Sequence, residues 1–266
     1  MEFDLEDSIS SIKEHQTCPI SELFHSESDY MPPPNYLSST DFPLSFRCEA
    51  IFFILKVQFS CNLDPFVSYL AINYLDRFMS KQEIPQEKPW LLRVIVIACL
   101  SLASKMKNTS FSPSTFQKEG YVLEAQSIQK MELVILGALD WRMRPITPFP
   151  FLHFFISVYE LNDPSVKQAL KLRASEIILN THNDVKFWEY KPSTIAASAL
   201  IYATHELFPL QCSTLRASIT ACEYLDEEML SKCFNFMQEM KVEAIIDTSF
   251  VSREIPVNVL EKNIRI

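Results

Sequence analysis

Val94-Ile95-Val96-Ile97-Ala98-Cys99-Leu100-Ser101-Leu102-Ala103 is the stretch on which the fold turns. It carries no charge, and Arg93 and Lys105 bracket it. A membrane span needs roughly 20 apolar residues, so this run is too short to cross a bilayer. A helix with no polar face is stable only where every side is covered, which is the centre of a bundle. The pattern predicts a helix that opens at Pro89-Trp90, where proline suits a first turn, and runs to Met106.

On either side the chain repeats with helical period. Over residues 44–60, Phe46, Ala50, Phe53, Ile54 and Val57 mark one buried face. Asp64-Pro65 then supplies a cap and a first-position proline for a second helix over 64–80, with Phe66, Leu70, Tyr74 and Phe78 in its repeat. Ser112-Pro113 opens a short fourth helix ending near Gly120, and a fifth spans 125–141 through Ile128, Met131, Ile135 and Leu139. Pro145 and Pro148-Phe149-Pro150 form an elbow that no helix should cross intact. Beyond it helices are predicted near 151–160, 164–182, 193–207, 214–222 and 226–246. The stretch 194–204 is again small and apolar all round, and it follows Pro192 as the first such helix follows Pro89. The expected fold is therefore all-α: two tandem five-helix units, each built around a central apolar helix. The units run over 44–143 and 144–248, after a flexible or loosely docked polar leader, 1–43, that carries Pro32-Pro33-Pro34, and before a flexible tail, 249–266.

Composition removes most function classes. Of 266 residues only Gly120 and Gly137 are glycine, and loops that cradle phosphates need several. No nucleotide or dinucleotide cofactor is expected. The net charge of −9 and the absence of any lysine- and arginine-rich run argue against direct nucleic-acid binding. Cys18, Cys48, Cys61, Cys99, Cys212, Cys222 and Cys233 are scattered, without a CxxC pair, and read as buried thiols rather than a disulfide framework or zinc site. Glu22-Leu23-Phe24-His25 matches a di-iron ligand spacing, but it occurs once, where such centres need two copies and further carboxylates. The acidic first ten residues lack the apolar core of a signal peptide. With no nucleophile elbow or metal-binding histidine spacing either, the chain is not expected to be an enzyme.

Three stretches are more specific. Leu70-Ala71-Ile72-Asn73-Tyr74-Leu75-Asp76-Arg77-Phe78-Met79-Ser80, Ala98-Cys99-Leu100-Ser101-Leu102-Ala103-Ser104-Lys105, and Lys130-Met131-Glu132-Leu133-Val134-Ile135-Leu136 with Leu139-Asp140-Trp141-Arg142-Met143-Arg144-Pro145 follow one another in order. Together they resemble the second, third and fifth helices of the cyclin box of plant D-type cyclins, most nearly the sixth group. The resemblance covers about residues 44–245.

That resemblance implies a regulatory subunit that activates the catalytic subunit of a cyclin-dependent kinase and controls G1/S progression and cell division. It implies that Lys105 and Glu132 form the polar centre of the kinase-binding surface, with Met106 and Leu136, and Trp141 or Met143, as its apolar surround. In the family this pair positions the helix bearing the glutamate that partners the kinase's ATP-binding lysine. Arg47 and Asp76 match a structural ion pair tying the first helix to the second. The substrate-docking groove of the family falls on Phe46, Glu49, Ala50 and Phe53, where a charge at Glu49 and the small Ala50 leave it degenerate. Kinase substrates or inhibitors are further expected partners; a membrane is not. Lys107 and Asn108 stand where the family has two acidic residues, which reverses the local charge. No cysteine sits in a Leu-x-Cys-x-Glu motif for retinoblastoma-type proteins; Leu210-Gln211-Cys212 runs on to Thr214. Residence in the nucleus, with the cytoplasm as a second place, is implied by the family alone. The competing reading is a cyclin-fold adaptor that binds protein partners without activating a kinase.

Overall fold

A computed structural model describes residues 19–31, 41–85, 89–109, 111, 124–159 and 163–251. Ten α-helices are present among them: α1 (Ile20–Ser26), α2 (Asp41–Cys61), α3 (Pro65–Lys81), α4 (Pro89–Met106), α5 (Ala125–Ala138), α6 (Pro148–Val158), α7 (Pro164–Asn180), α8 (Pro192–Leu207), α9 (Cys212–Thr220) and α10 (Glu227–Val251). The predicted fourth helix, 112–120, lies outside the described residues, as do 1–18 and 32–40 of the leader and 252–266 of the tail.

Local chemistry sets the helix ends. The Asp64 carboxylate accepts from Phe66 N at 2.8 Å and caps α3, with Pro65 at its first position. Asp163 caps α7 in the same way through Ser165 N. At the other ends, Asn62 (φ 51°) and Asn108 (φ 52°) take the left-handed conformation that asparagine tolerates better than most residues. Thr109 N then reaches back to Ser104 O at 3.0 Å and closes α4. Asn108 thus owes its place partly to stopping the helix.

The two apolar helices hold the centres. From Val94 to Ala103 the side chains of α4 are buried, packed against α2, α3 and α5. In α8 burial is unbroken from Ser193 to Thr204, against α6, α7, α9 and α10. Cys99 and Cys233 are buried thiols as expected, but Cys48 is exposed.

Three expectations are corrected. The elbow does not exclude Pro148 and Pro150 from a helix, because they occupy the first turn of α6, where amide N–H groups have no intrahelical acceptor to lose. The fifth helix ends at Ala138, before a turn in which Asp140 (φ 53°) and Trp141 (φ 58°) are both left-handed. The leader is not loose throughout: Ile20–Tyr30 is helical and docked. Phe24 is buried between Phe151, at 4.7 Å between ring centroids, and a stacked Tyr224 at 4.6 Å. The buried Glu27 carboxylate accepts from Ser193 N (2.9 Å) and Ser193 Oγ (2.8 Å) at the N-terminus of α8, where a negative charge complements the helix dipole. Burial pushes the Glu27 carboxyl up, against those hydrogen bonds and the charge of Lys191.

Candidate functional site

The junction of α4 and α5 brings Lys105 and Glu132 together. Lys105 sits in the last turn of α4, and Glu132 lies on the core-facing line of α5 with Ile128 and Ile135. The ammonium donates to both carboxylate oxygens, at 2.8 Å to Oε1 and 2.6 Å to Oε2. The two ends of the pair differ in environment: the Lys105 side chain is 61% exposed and that of Glu132 only 11%. A carboxylate set into an apolar helix face needs a partner, and Lys105 supplies it while standing outward. An ammonium has three donors, so one N–H remains for an acceptor on another molecule.

The apolar residues around the pair sort differently from the expectation. Met106 is exposed beside Lys105, and Leu136, one turn beyond Glu132 on the same face, is half-buried. Trp141 is exposed in its left-handed turn. Met143 is buried, and its carbonyl accepts from Tyr74 Oη at 2.7 Å, so it belongs to the core and not to the surround. Leu133, absent from the expectation, is well exposed beside Glu132. Its signal was available: the buried line of α5 runs 128, 132, 135, 139, which leaves 133 off that line and facing outward. Lys107 turns its ammonium over the Phe66 ring at 4.7 Å, and burial lowers its pKa.

The chain leaving α5 is held from two sides. Lys81 pairs with Asp140 at 2.6 Å, and Arg77 Nη2 donates to Arg142 O at 2.9 Å. Tyr30 of the docked leader lies under the guanidinium of Arg142, 4.4 Å from the ring centroid.

Arg47 and Asp76 meet as a buried, two-bond ion pair, Nε–Oδ1 2.8 Å and Nη2–Oδ2 3.0 Å. The pair does more than join α2 to α3. Arg47 Nη2 also donates to His182 O at 2.9 Å, and the Trp188 indole N–H donates to Asp76 Oδ2 at 3.1 Å while its ring lies 5.0 Å from the guanidinium. One buried cluster thus ties both halves. Burial pushes the Asp76 carboxyl up, and the Arg47 charge with the hydrogen bonds of Arg47 and Trp188 pulls it back. The His182 ring packs 3.9 Å from Tyr69, and its pKa is pushed down to about 3, first by burial and then by the neighbouring Arg47 charge.

The four groove positions lie along one side of α2 but differ in burial. Phe46 and Ala50 are buried, Phe53 is half-buried, and only Glu49 is exposed. Leu210 is exposed in a short 3-10 turn, while the Cys212 thiol lies against Ile201 O at 3.9 Å. Glu22 and His25 are both exposed, with the His25 ring edge-on to Tyr224. Among the described residues there is no cluster of histidine, cysteine or carboxylate that could hold a metal, and no helix long and apolar enough to cross a membrane.

Comparison with known proteins gives one family for both halves. The cyclin N-terminal domain matches residues 20–144, and the cyclin C-terminal domain matches 146–247. "Putative cyclin-D6-1" of Arabidopsis thaliana is 41% identical, across 98% of this chain and 90% of that protein. Cyclin-D6-1 of Oryza sativa subsp. japonica is 36% identical across 89% of this chain and 73% of its own length. Among solved structures, a viral cyclin from herpesvirus saimiri superposes with a TM-score of 0.56 at 16% identity, covering 81% of this chain and 98% of that one. A chain of the yeast TFIIK (Kin28/Ccl1/Tfb3) complex gives 0.56 at 18%, covering 82% and 93%. At those identities the structures speak for the fold alone. Matched by both of the family's domains and by relatives along nearly its whole length, the chain belongs to the cyclin family, among the D-type cyclins of plants.

Proposed function

We propose that this chain is the activating regulatory subunit of a cyclin-dependent kinase, acting in the nucleus at the G1/S transition, with no active site of its own. The observation that carries the reading is the Lys105–Glu132 pair. Its carboxylate is embedded in α5 and its ammonium is presented to solvent, with Met106, Leu133 and Leu136 as an apolar surround. Such a site suits a backbone segment of a partner: the spare ammonium N–H takes a carbonyl, Glu132 takes an amide, and the leucines bury apolar side chains. The kinase would then be activated by the fixing of its own regulatory helix, a positional effect that needs no chemistry from the cyclin.

The test is co-expression with plant cell-cycle kinases, followed by phosphorylation of histone or of a retinoblastoma-protein fragment. Wild type should activate at least one kinase, and Lys105→Ala and Glu132→Ala should lose that activity while remaining folded. A folded wild type that binds none of the kinases would sink the reading and favour the adaptor. A fluorescent fusion that stays out of the nucleus would overturn the localisation separately.

A further inference from the structure

Helix α2 is apolar on two sides. Ala50, Ile51, Ile54 and Val57 are buried in the core. Leu44, Cys48, Phe52, Leu55 and Phe59 face solvent instead, with Phe52 71% and Phe59 90% exposed. Their spacings of four, four, three and four residues lay them in one line along about 22 Å of helix. The exposed polar residues Ser45, Glu49, Lys56 and Ser60 form a second line, on one flank only. A contiguous apolar strip of this kind marks an interaction surface.

The pattern also says what fits. From Cys48 to Phe59 the spacing four-three-four is that of a heptad seam, which another helix fills. It reads the same from either end. Two copies of α2 running antiparallel about a two-fold axis between Phe52 and Leu55 set Cys48 against Phe59 of the second copy, and Phe52 against its Leu55. On the polar flank Glu49 then comes within about two residues of the level of Lys56 in the second copy, and the axis repeats that contact. Opposite charges meet at both places. A parallel pairing would leave the two polar flanks on opposite sides of the seam, so Glu49 and Lys56 would find no charged partner across it.

We propose that α2 is a self-association face and that its occupant is α2 of a second copy of this chain. Taking a phenylalanine ring as about 200 Å², the line offers roughly 450 Å² per copy, near the small end of specific interfaces. The dimer is accordingly reversible and concentration-dependent. None of its residues belongs to the Lys105–Glu132 site, so it stands or falls independently of kinase binding.

Sedimentation velocity on the full chain across the micromolar range reads this directly. The mass should rise from 30.8 kDa toward about twice that value. Phe52→Asp and Phe59→Asp should each hold the chain monomeric, with an unchanged circular dichroism spectrum because both rings are exposed. Glu49→Lys and Lys56→Glu should each weaken association about tenfold at low salt, and the double swap should restore it. Phe59→Cys should form a covalent dimer with Cys48 under mild oxidation. Wild-type Cys48 should not pair with itself, since the two thiols stand about 16 Å apart along the axis. Three results would overturn the proposal: a monomer at every concentration, a dimer indifferent to both aspartates, or a monomer that associates only after residues 1–18 are removed.

Discussion

Replacing Asp76 by asparagine keeps the volume of the side chain and removes its charge. In the native chain both carboxylate oxygens are occupied, by Arg47 Nε, Arg47 Nη2 and Trp188 Nε1 at 2.8, 3.0 and 3.1 Å. An amide offers one acceptor oxygen and turns its NH₂ toward the guanidinium in either orientation, and toward the indole as well in one of them, a donor facing a donor. Arg47 is almost fully buried and always protonated, so its charge is left without a counterion. Breaking a buried pair from one side costs about 3–5 kcal/mol. For a chain of this size each kcal/mol is worth about 2–4 °C, so Tm should fall by about 6–20 °C. Thermal and urea unfolding followed by circular dichroism at neutral pH measure both quantities. The double variant Arg47→Met with Asp76→Leu removes both charges together and should recover more than about half of the loss, because a matched apolar pair often replaces a buried ion pair at little cost. A single variant within about 1 kcal/mol of wild type would refute the reasoning, for it would mean that Arg47 finds water or another partner when Asp76 is neutral.

Glu27→Ala should cost about 2 kcal/mol by stripping Ser193 N and Oγ of a buried acceptor, and limited proteolysis should then cut within residues 19–31 first. Leu100→Ala, at a fully buried position of α4, should cost about 2–5 kcal/mol in urea unfolding. His182 gives a pH signature. The unfolded ring takes its proton near pH 6.5 and the folded ring only near pH 3, so between those values the unfolded state binds more protons. Stability from this residue is complete above pH 6.5 and is lost as pH falls through that window, by up to about 1.4 kcal/mol per pH unit. Asp76 acts in the opposite sense, since its raised carboxyl takes a proton more readily when folded. The term is therefore isolated by comparison with His182→Phe, whose stability curve should lack the component.

Much of the architecture was legible because helices announce themselves by period. The two stretches without a polar face, 94–103 and 194–204, could only be central, and both are. Helix starts at Pro65, Pro89, Pro164 and Pro192 follow from proline's fit to a first turn. At Pro148 and Pro150 the opposite rule, that proline interrupts a helix, was applied instead, and it misplaced the start of α6. The docked leader was hidden because Glu22, His25, Glu27 and Asp29 make 20–30 look solvated, although Ile20, Leu23, Phe24 and Glu27 recur with helical period. Burial of Glu27 rests on Ser193, 166 residues away, which no local pattern announces. At the site, Lys105 and Glu132 came from resemblance, and their closeness is a tertiary fact. Leu133 could have been read from the period of α5, whereas the burial of Met143 depends on the turn after Ala138, which no local pattern announces.

The most direct test of the central claim is the affinity of the purified chain for its kinase, measured by calorimetry for wild type, Lys105→Ala, Glu132→Ala and the double variant. If the pair is the polar centre of the interface, each single change should weaken binding by at least about thirtyfold, with the double no worse than about the sum. Affinities that stay within about threefold of wild type in all three folded variants would contradict the account and leave Lys105–Glu132 an ordinary surface ion pair.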